Sequence, residues 1–287
     1  MPLTTEALAQ PPVAIELDVD ARWTMAYAAG VPDERAELYA TDSSDRPGGV
    51  QVHPVFPVAA EWQLIIASAA ANTGLSADEA RRGIHIGHDL VLSRPIHAGE
   101  RIRLAVRTVG VGRRRAGATQ TAEFTATVRD EVVWQTRMTS LYLGVDLVGE
   151  ATELDHPWVA PIDPTPATSP LAVETSWVRP IDAHVYSECA RIWNPIHTDL
   201  VAARRSGLAA PILHGTATLA RSVSIATRLA GVALGDVRRV SCWFSGQVPL
   251  GSSFDVRLLA FDEHTLWFDA VLPDGTLALR NAALTFV

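Results

Sequence analysis

Hydrophobic and polar positions fall into two rounds of the same order along the chain. Ala21-Arg22-Trp23-Thr24-Met25-Ala26-Tyr27-Ala28-Ala29-Gly30 reads as a short helix that Asp20 can cap and that Gly30 and Pro32 stop. Residues 41–50 are loop by composition. Residues 57–71 are apolar nearly all round and run toward Gly74, which predicts a central helix covered on most sides. The stretches 101–106, 123–128 and 133–142 then alternate and are rich in β-branched residues, with breaks at 110–117 and at Asp130-Glu131. The second round has a short helix over 183–192 and another over 200–206, the latter capped by Thr198 or Asp199. A long helix over 216–230 follows, then strands after Ser245.

Matching positions support a duplication. Ser93-Arg94-Pro95-Ile96-His97-Ala98-Gly99 lines up with Ser245-Gly246-Gln247-Val248-Pro249-Leu250-Gly251, and a strand follows each. Asp20-Ala21 lines up with Asp182-Ala183, and Pro54-Val55-Phe56 with Pro211-Ile212-Leu213. A long helix cradled by a curled antiparallel sheet is an α+β architecture. One copy leaves a sheet edge and a helix face open, so two copies sharing one sheet are expected. Residues 1–149 would form the first half, 150–170 a Pro-rich linker and 171–287 the second half, with residues 1–15 as an arm.

Composition narrows the function. Of 287 residues, 48% are hydrophobic and 20% charged, enough to build a core. A net charge of −8 argues against a general nucleic-acid partner. The start lacks the basic region of a secretory signal, and no apolar run reaches about 18 residues. Cys189 and Cys242 are too few for a disulfide scaffold and read as buried free thiols. A soluble, cytoplasmic protein is expected.

The chemistry concentrates in Arg191-Ile192-Trp193-Asn194-Pro195-Ile196-His197-Thr198-Asp199 and Pro211-Ile212-Leu213-His214-Gly215-Thr216. Proline keeps Asn194 out of the helical region, so the chain turns there and fixes His197 on a corner. His197 can serve as an acid–base group, or it can bond a loop carbonyl. Gly215 opens the long helix; its N–H can meet an oxygen that gains negative charge, or the residue can merely allow tight packing. His214 can take part or only orient the corner.

Elsewhere, His85, His88 and Asp89 are weak as metal ligands, and no metal is expected. Arg113-Arg114-Arg115 is a solvated hairpin tip or a phosphate contact. Asp33-Glu34-Arg35 and Arg238-Arg239 read as solvated faces, and Trp62, Trp243 and Trp267 as core or tunnel wall. Nucleophile-elbow, phosphate-loop and dinucleotide glycine patterns are lacking.

The Asn194-Pro195-Ile196-His197 motif, its distance to His214-Gly215-Thr216, and the helix before it resemble the hydratase motif of MaoC-like proteins. These include the (R)-specific enoyl-CoA hydratases and dehydratases. Gly83-Ile84-His85, Asp89 and Arg94-Pro95-Ile96 resemble the non-catalytic N-terminal half of two-hot-dog members, so the resemblance spans about residues 15–287. It implies a double hot-dog fold with one continuous sheet, and an N-terminal half that makes room for an acyl chain. It also implies an acyl-CoA or acyl-carrier thioester as substrate or ligand, with no separate cofactor. His197, Asn194 and Gly215 take the catalytic positions, and Ile192, Trp193 and Thr216 lie where substrate would be held. The two-half chain could stand alone or pair as a homodimer.

One position departs from that pattern. Ile192 stands where the motif has an aspartate, and isoleucine cannot orient water or move a proton. Glu188, one turn earlier, is either a surface charge or a carboxylate reaching toward the vacated place. Arg191 can meet a substrate carboxylate or a CoA phosphate, or point to solvent. A hydratase or dehydratase, a binding protein that lost the chemistry, and a thioesterase using Glu188 or Glu61 are the three resulting expectations.

Overall fold

The computed structural model describes residues 2–40, 49–68, 75–152 and 169–287. Most of the loop expected at 41–50, the helix beyond residue 68 and the linker interior lie outside the described residues. The first half contains β1 (Leu3–Thr4), β2 (Val13–Val19), α1 (Ala21–Gly30), α2 (Pro57–Ser68) and α3 (Ala77–Ala80). It continues with β3 (Gly83–Leu92), β4 (Glu100–Arg114), β5 (Gly117–Val128), β6 (Glu131–Leu143) and β7 (Leu147–Val148). The second half contains β8 (Ala172–Trp177), α4 (Asp182–Ala190), α5 (Leu200–Arg205) and α6 (Gly215–Ala230). Four strands complete it: β9 (Val237–Phe244), β10 (Ser253–Phe261), β11 (Thr265–Val271) and β12 (Leu277–Phe286).

Ten strands form one antiparallel sheet in the order β2-β4-β5-β6-β3-β9-β12-β11-β10-β8. The halves join at β3–β9, and the strand order on one side repeats that on the other about this joint. The expected continuous sheet is therefore present. α2 and α6 run through one shared core in which Phe56, Leu64, Trp134, Leu219, Val223 and Phe268 are buried together. Neither half closes its core alone.

The pseudo-twofold passes between α1 and α4. Tyr27 packs on Tyr186 with ring centroids 5.9 Å apart. A Cβ on Gly30 would stand 2.7 Å from the Cβ of Cys189, so glycine is what allows the two helices this close. The register differs from the Asp20/Asp182 alignment. Asp20 caps α1 by accepting the Trp23 N–H at 2.8 Å, whereas Asp182 lies inside α4 and pairs with Arg221, both 2% exposed. Tyr27 corresponds to Tyr186, and the Asp33 N–H bond to the Ala28 carbonyl corresponds to that from Ile192 to Ser187. In this register Asp33 is the counterpart of Ile192.

Several other expectations change. The arm over residues 1–15 instead enters edge strand β2, because Val13, Ile15, Leu17 and Val19 alternate inward. Gly110 does not break the first strand; a bulge between Thr108 and Gly110 absorbs it, and β4 runs on to Arg114. Arg113 is spent on the Leu147 and Gly149 carbonyls. Asp33 and Arg35 are not a solvated face. Asp33 is 3% exposed and bonds Arg35, which also reaches Thr227 Oγ1 and the Ser224 carbonyl of α6. Arg239 likewise lies on Asp89 through two bonds of 2.7 and 2.8 Å across the β3–β9 joint. Both cysteines are free thiols. Among the described residues, no helix is long and apolar enough to cross a membrane.

Candidate functional site

The site corner begins where α4 ends. The helix stops at Ala190, two residues before the expected end, because Arg191 adopts a left-handed conformation with φ 58°. Its N–H meets the Glu188 carbonyl and the Ile192 N–H meets that of Ser187, which closes the helix end without glycine. Gln63 of α2 donates to the Arg191 carbonyl at 2.9 Å, so the first half holds the corner as well. Asn194 caps the 3-10 turn of Pro195–His197, its side chain accepting from the Ile196 N–H at 3.4 Å. Asp199 then caps α5 by accepting from the Ala202 N–H at 2.7 Å. Three caps in nine residues make this a rigid mount.

On that mount His197 is buried, with Nδ1 2.9 Å from the Ile212 carbonyl. A carbonyl only accepts, so Nδ1 carries the proton and Nε2 keeps the lone pair. Among the described residues Nε2 has no partner, and no carboxylate bonds the ring. Burial pushes the imidazole down to about 4, against the upward pull of the Ile212 carbonyl, so His197 is a neutral base at neutral pH.

His214 stacks on His197 with centroids 3.7 Å apart and planes at 24°. Its Nε2 faces the Ile192 carbonyl at 3.3 Å and Ser187 Oγ at 3.2 Å, which places the proton on Nε2. Nδ1 is buried and unpartnered. Burial first, and the His197 ring second, hold this imidazole well below its ordinary pKa. Two stacked rings cannot both take a proton cheaply, so the pair carries at most one.

His214 precedes Gly215, the exposed first residue of α6. The Gly215 N–H has no partner among the described residues, and the helix dipole lies behind it. A Cβ there would stand 3.1 Å from the Phe244 ring. Thr216 accepts from the Tyr186 hydroxyl at 3.2 Å, and Trp193 stands 50% exposed beside the corner. A neutral base thus stacks on the residue that precedes an exposed helix N-terminus.

The remaining candidates are not brought in. Ile192 is 5% exposed and packs in the core. Glu188 is exposed and forms no bond to the His197 ring. Arg191 lies over Trp23 at 4.3 Å and 4.0 Å from Asp20. Glu61 is buried in the first half, where Trp134 Nε1–H and Thr136 Oγ1–H both donate to its Oε1. Burial raises its carboxyl to about 7 despite those bonds. Asp89 is held by Arg239 and, as the next residue of the strand, faces away from His88 and His85.

The sequence reading missed Gln63, Tyr186, Ser187 and Phe244, none of which sits in the motif. Nor does the motif show that the first half has an aspartate, Asp33, at the position where the second half has Ile192. Burial pushes the Asp33 carboxyl up, but bonds from Arg35 and Ser224 outweigh it and hold the group well below the usual carboxylate range. The register set by Tyr27 and Tyr186 was the available signal. The first half nevertheless lacks the other parts: Leu38 falls in the place of His197, and α2 starts with Pro57, which has no N–H.

Two five-stranded halves around two central helices, with a histidine corner against one helix start, define a double hot-dog protein. The family model of the MaoC like domain matches residues 161–273, which include most of the second half. Solved structures agree on the fold. A MaoC-like dehydratase from Phytophthora capsici aligns with TM-score 0.84 at 16% identity, over 98% of this chain and 96% of its own. HtdX from Mycobacterium tuberculosis aligns with TM-score 0.70 at 22% identity, over 96% of this chain and 100% of its own. A conserved hypothetical protein of the same organism, described as a double hotdog fold, aligns with TM-score 0.63 at 16% identity, over 96% and 95%. No curated protein matches the sequence.

Proposed function

We propose that the chain is an acyl-thioester hydratase or 3-hydroxyacyl-thioester dehydratase that takes enoyl-CoA or the matching carrier-bound ester. The observation that supports it is the open Nε2 of neutral His197 beside the free N–H of Gly215. In hydration, a water gives a proton to His197 Nε2 while its oxygen bonds the β-carbon. The double-bond electrons move to the thioester oxygen, which the Gly215 N–H receives. His197 then returns the proton to the α-carbon, and the thioester carbonyl re-forms. The same steps reversed remove water. His214 fixes the corner through Ile192 and Ser187, and Asn194 shapes it.

A single weakly basic imidazole has to do the work normally shared with a carboxylate. General acid–base groups contribute about 10²–10⁴-fold in rate, so turnover should be slow. That same observation, a buried isoleucine in place of the carboxylate, supports a second reading: an acyl-CoA or acyl-carrier binding protein. Thioester hydrolysis has less support, since Glu188 faces solvent and Glu61 is enclosed by Trp134 and Thr136.

Incubation with crotonyl-CoA and longer trans-2-enoyl-CoAs separates the three. Hydration removes the enoyl absorbance, hydrolysis releases free thiol, and a binding protein does neither while still retaining the ester. His197→Ala should abolish hydration; full activity in that variant would refute the assignment.

A further inference from the structure

His88 has no hydrogen-bond partner on either ring nitrogen, though it is only 1% exposed. Buried imidazoles left in this way are rare, because unmet donors and lone pairs lose hydration without return. A bulge between His85 and Gly87 decides where the ring faces. In a regular strand, residues three apart face opposite sides; one extra residue puts His85 and His88 on the same side. Their partners on β6, Ser140 and Met138, lie on the face from which Trp134 and Thr136 reach Glu61 of α2. On β9 the partner of His88 is Cys242, on the same face as Phe244.

A row of rings connects this place to the candidate site. Phe244 stands 3.1 Å from where a Cβ on Gly215 would be. His85 lies 4.6 Å from Phe244, and His88 5.4 Å from His85, centroid to centroid. Exposure falls along the row: Gly215 is open, Phe244 and His85 are half-buried, and His88 is enclosed. His85 donates Nε2–H to the Gly87 carbonyl at 3.0 Å, which leaves its Nδ1 as a lone pair. Burial pushes His85 down to about 4, and burial with the His85 ring holds His88 well below its ordinary value. Both rings are therefore neutral, and each His88 nitrogen can answer a polar neighbour, one as donor and one as acceptor.

We propose that His88, assisted by His85, recognises a hydroxyl on the acyl chain, so that the thioester accepted here is hydroxylated beyond the reacting carbons. The proposal rests on the acyl-thioester reading above. A hydroxyl both donates and accepts, so it can pair with His88 in either tautomer. An unsubstituted alkyl chain would leave both nitrogens unmet. One neutral hydrogen bond of this kind corresponds to a preference of up to about tenfold.

The test is calorimetric binding to the full chain, which does not require turnover. Decanoyl-CoA is compared with hydroxydecanoyl-CoA isomers in which the hydroxyl moves outward along the chain beyond the β-carbon. One isomer should bind up to about tenfold more tightly than decanoyl-CoA. His88→Leu should erase that preference, and His88→Gln, which retains a donor and an acceptor, should preserve part of it. His88→Leu should also melt no lower than the parent, because it removes an unmet polar group. Equal binding of decanoyl-CoA and every isomer, or a preference that survives His88→Leu, would overturn this proposal alone. No binding of any ester would overturn it together with the acyl-thioester reading.

Discussion

Replacing Ile192 by aspartate tests what the corner lacks. The side chain is 5% exposed, so the change removes apolar packing and buries a carboxyl, at a cost of about 2–4 kcal/mol in stability. The electrostatic return is calculable. In general, a carboxylate about 5 Å from an imidazolium at an effective dielectric of about 20 attracts it by about 3 kcal/mol. A carboxylate facing the ring lifts His197 from about 4 back toward the ordinary imidazole range, which makes it a stronger base. The variant should therefore hydrate crotonyl-CoA about 10²–10⁴-fold faster than the parent, as the absorbance assay reads. The acidic limb of its pH–rate profile should move upward, because the base must be unprotonated and its pKa has risen. A variant that keeps its melting transition and its ester binding, yet gains neither rate nor a shifted limb, would refute the idea that one carboxylate is all the corner lacks.

Other expectations concern the helix start, the first-half core and the seam between the halves. Gly215→Pro, which removes the N–H, should cost about 10²–10³ in hydration rate beyond Gly215→Ala, which brings the same Cβ toward Phe244; equal rates in the two variants would exclude the Gly215 N–H as the oxygen's partner. Glu61 has its folded-state pKa raised from 4.5 to about 7, so its protonated form stabilises the fold, and that contribution is lost as pH rises through about 7. Glu61→Gln should thus gain up to about 3 kcal/mol at pH near 8 and almost nothing below about pH 4.5, read from denaturation curves across pH. Gly30→Ala should destabilise by about 1–3 kcal/mol through its contact with Cys189, and Cys189→Gly in the same chain should restore part of the loss; a neutral Gly30→Ala would mean α1 and α4 can separate without cost.

Local rules served the sequence reading well where the chain itself supplies the partner. Asp20 and Asp199 cap their helices, and Asn194 caps the corner turn, because each bonds an N–H only two or three residues away. Proline at 195 limits Asn194 whatever surrounds it. The same rules misplaced the end of α4, since Arg191 takes a left-handed conformation usually given to glycine. Distant contacts support it: Gln63 on its carbonyl, and Trp23 under its guanidinium. Asp33 and Arg239 were read as solvated for a related reason. Their partners beyond the local turn, Ser224 on α6 and Asp89 on β3, lie more than a hundred residues away in the chain.

The order of residues is enough to lay out the repeat of helix, long apolar helix and alternating strands, and to show which residues stand in the motif. Those follow from periodicity and from short-range bonding. The neutrality of His197 comes from packing, since it depends on how completely the second half buries the ring. Only packing placed Glu188 in solvent and Glu61 in the core, withdrawing both from the corner. And only the pairing of Tyr27 with Tyr186 set Asp33 opposite Ile192, because a duplication with few identities has no register until its halves pack.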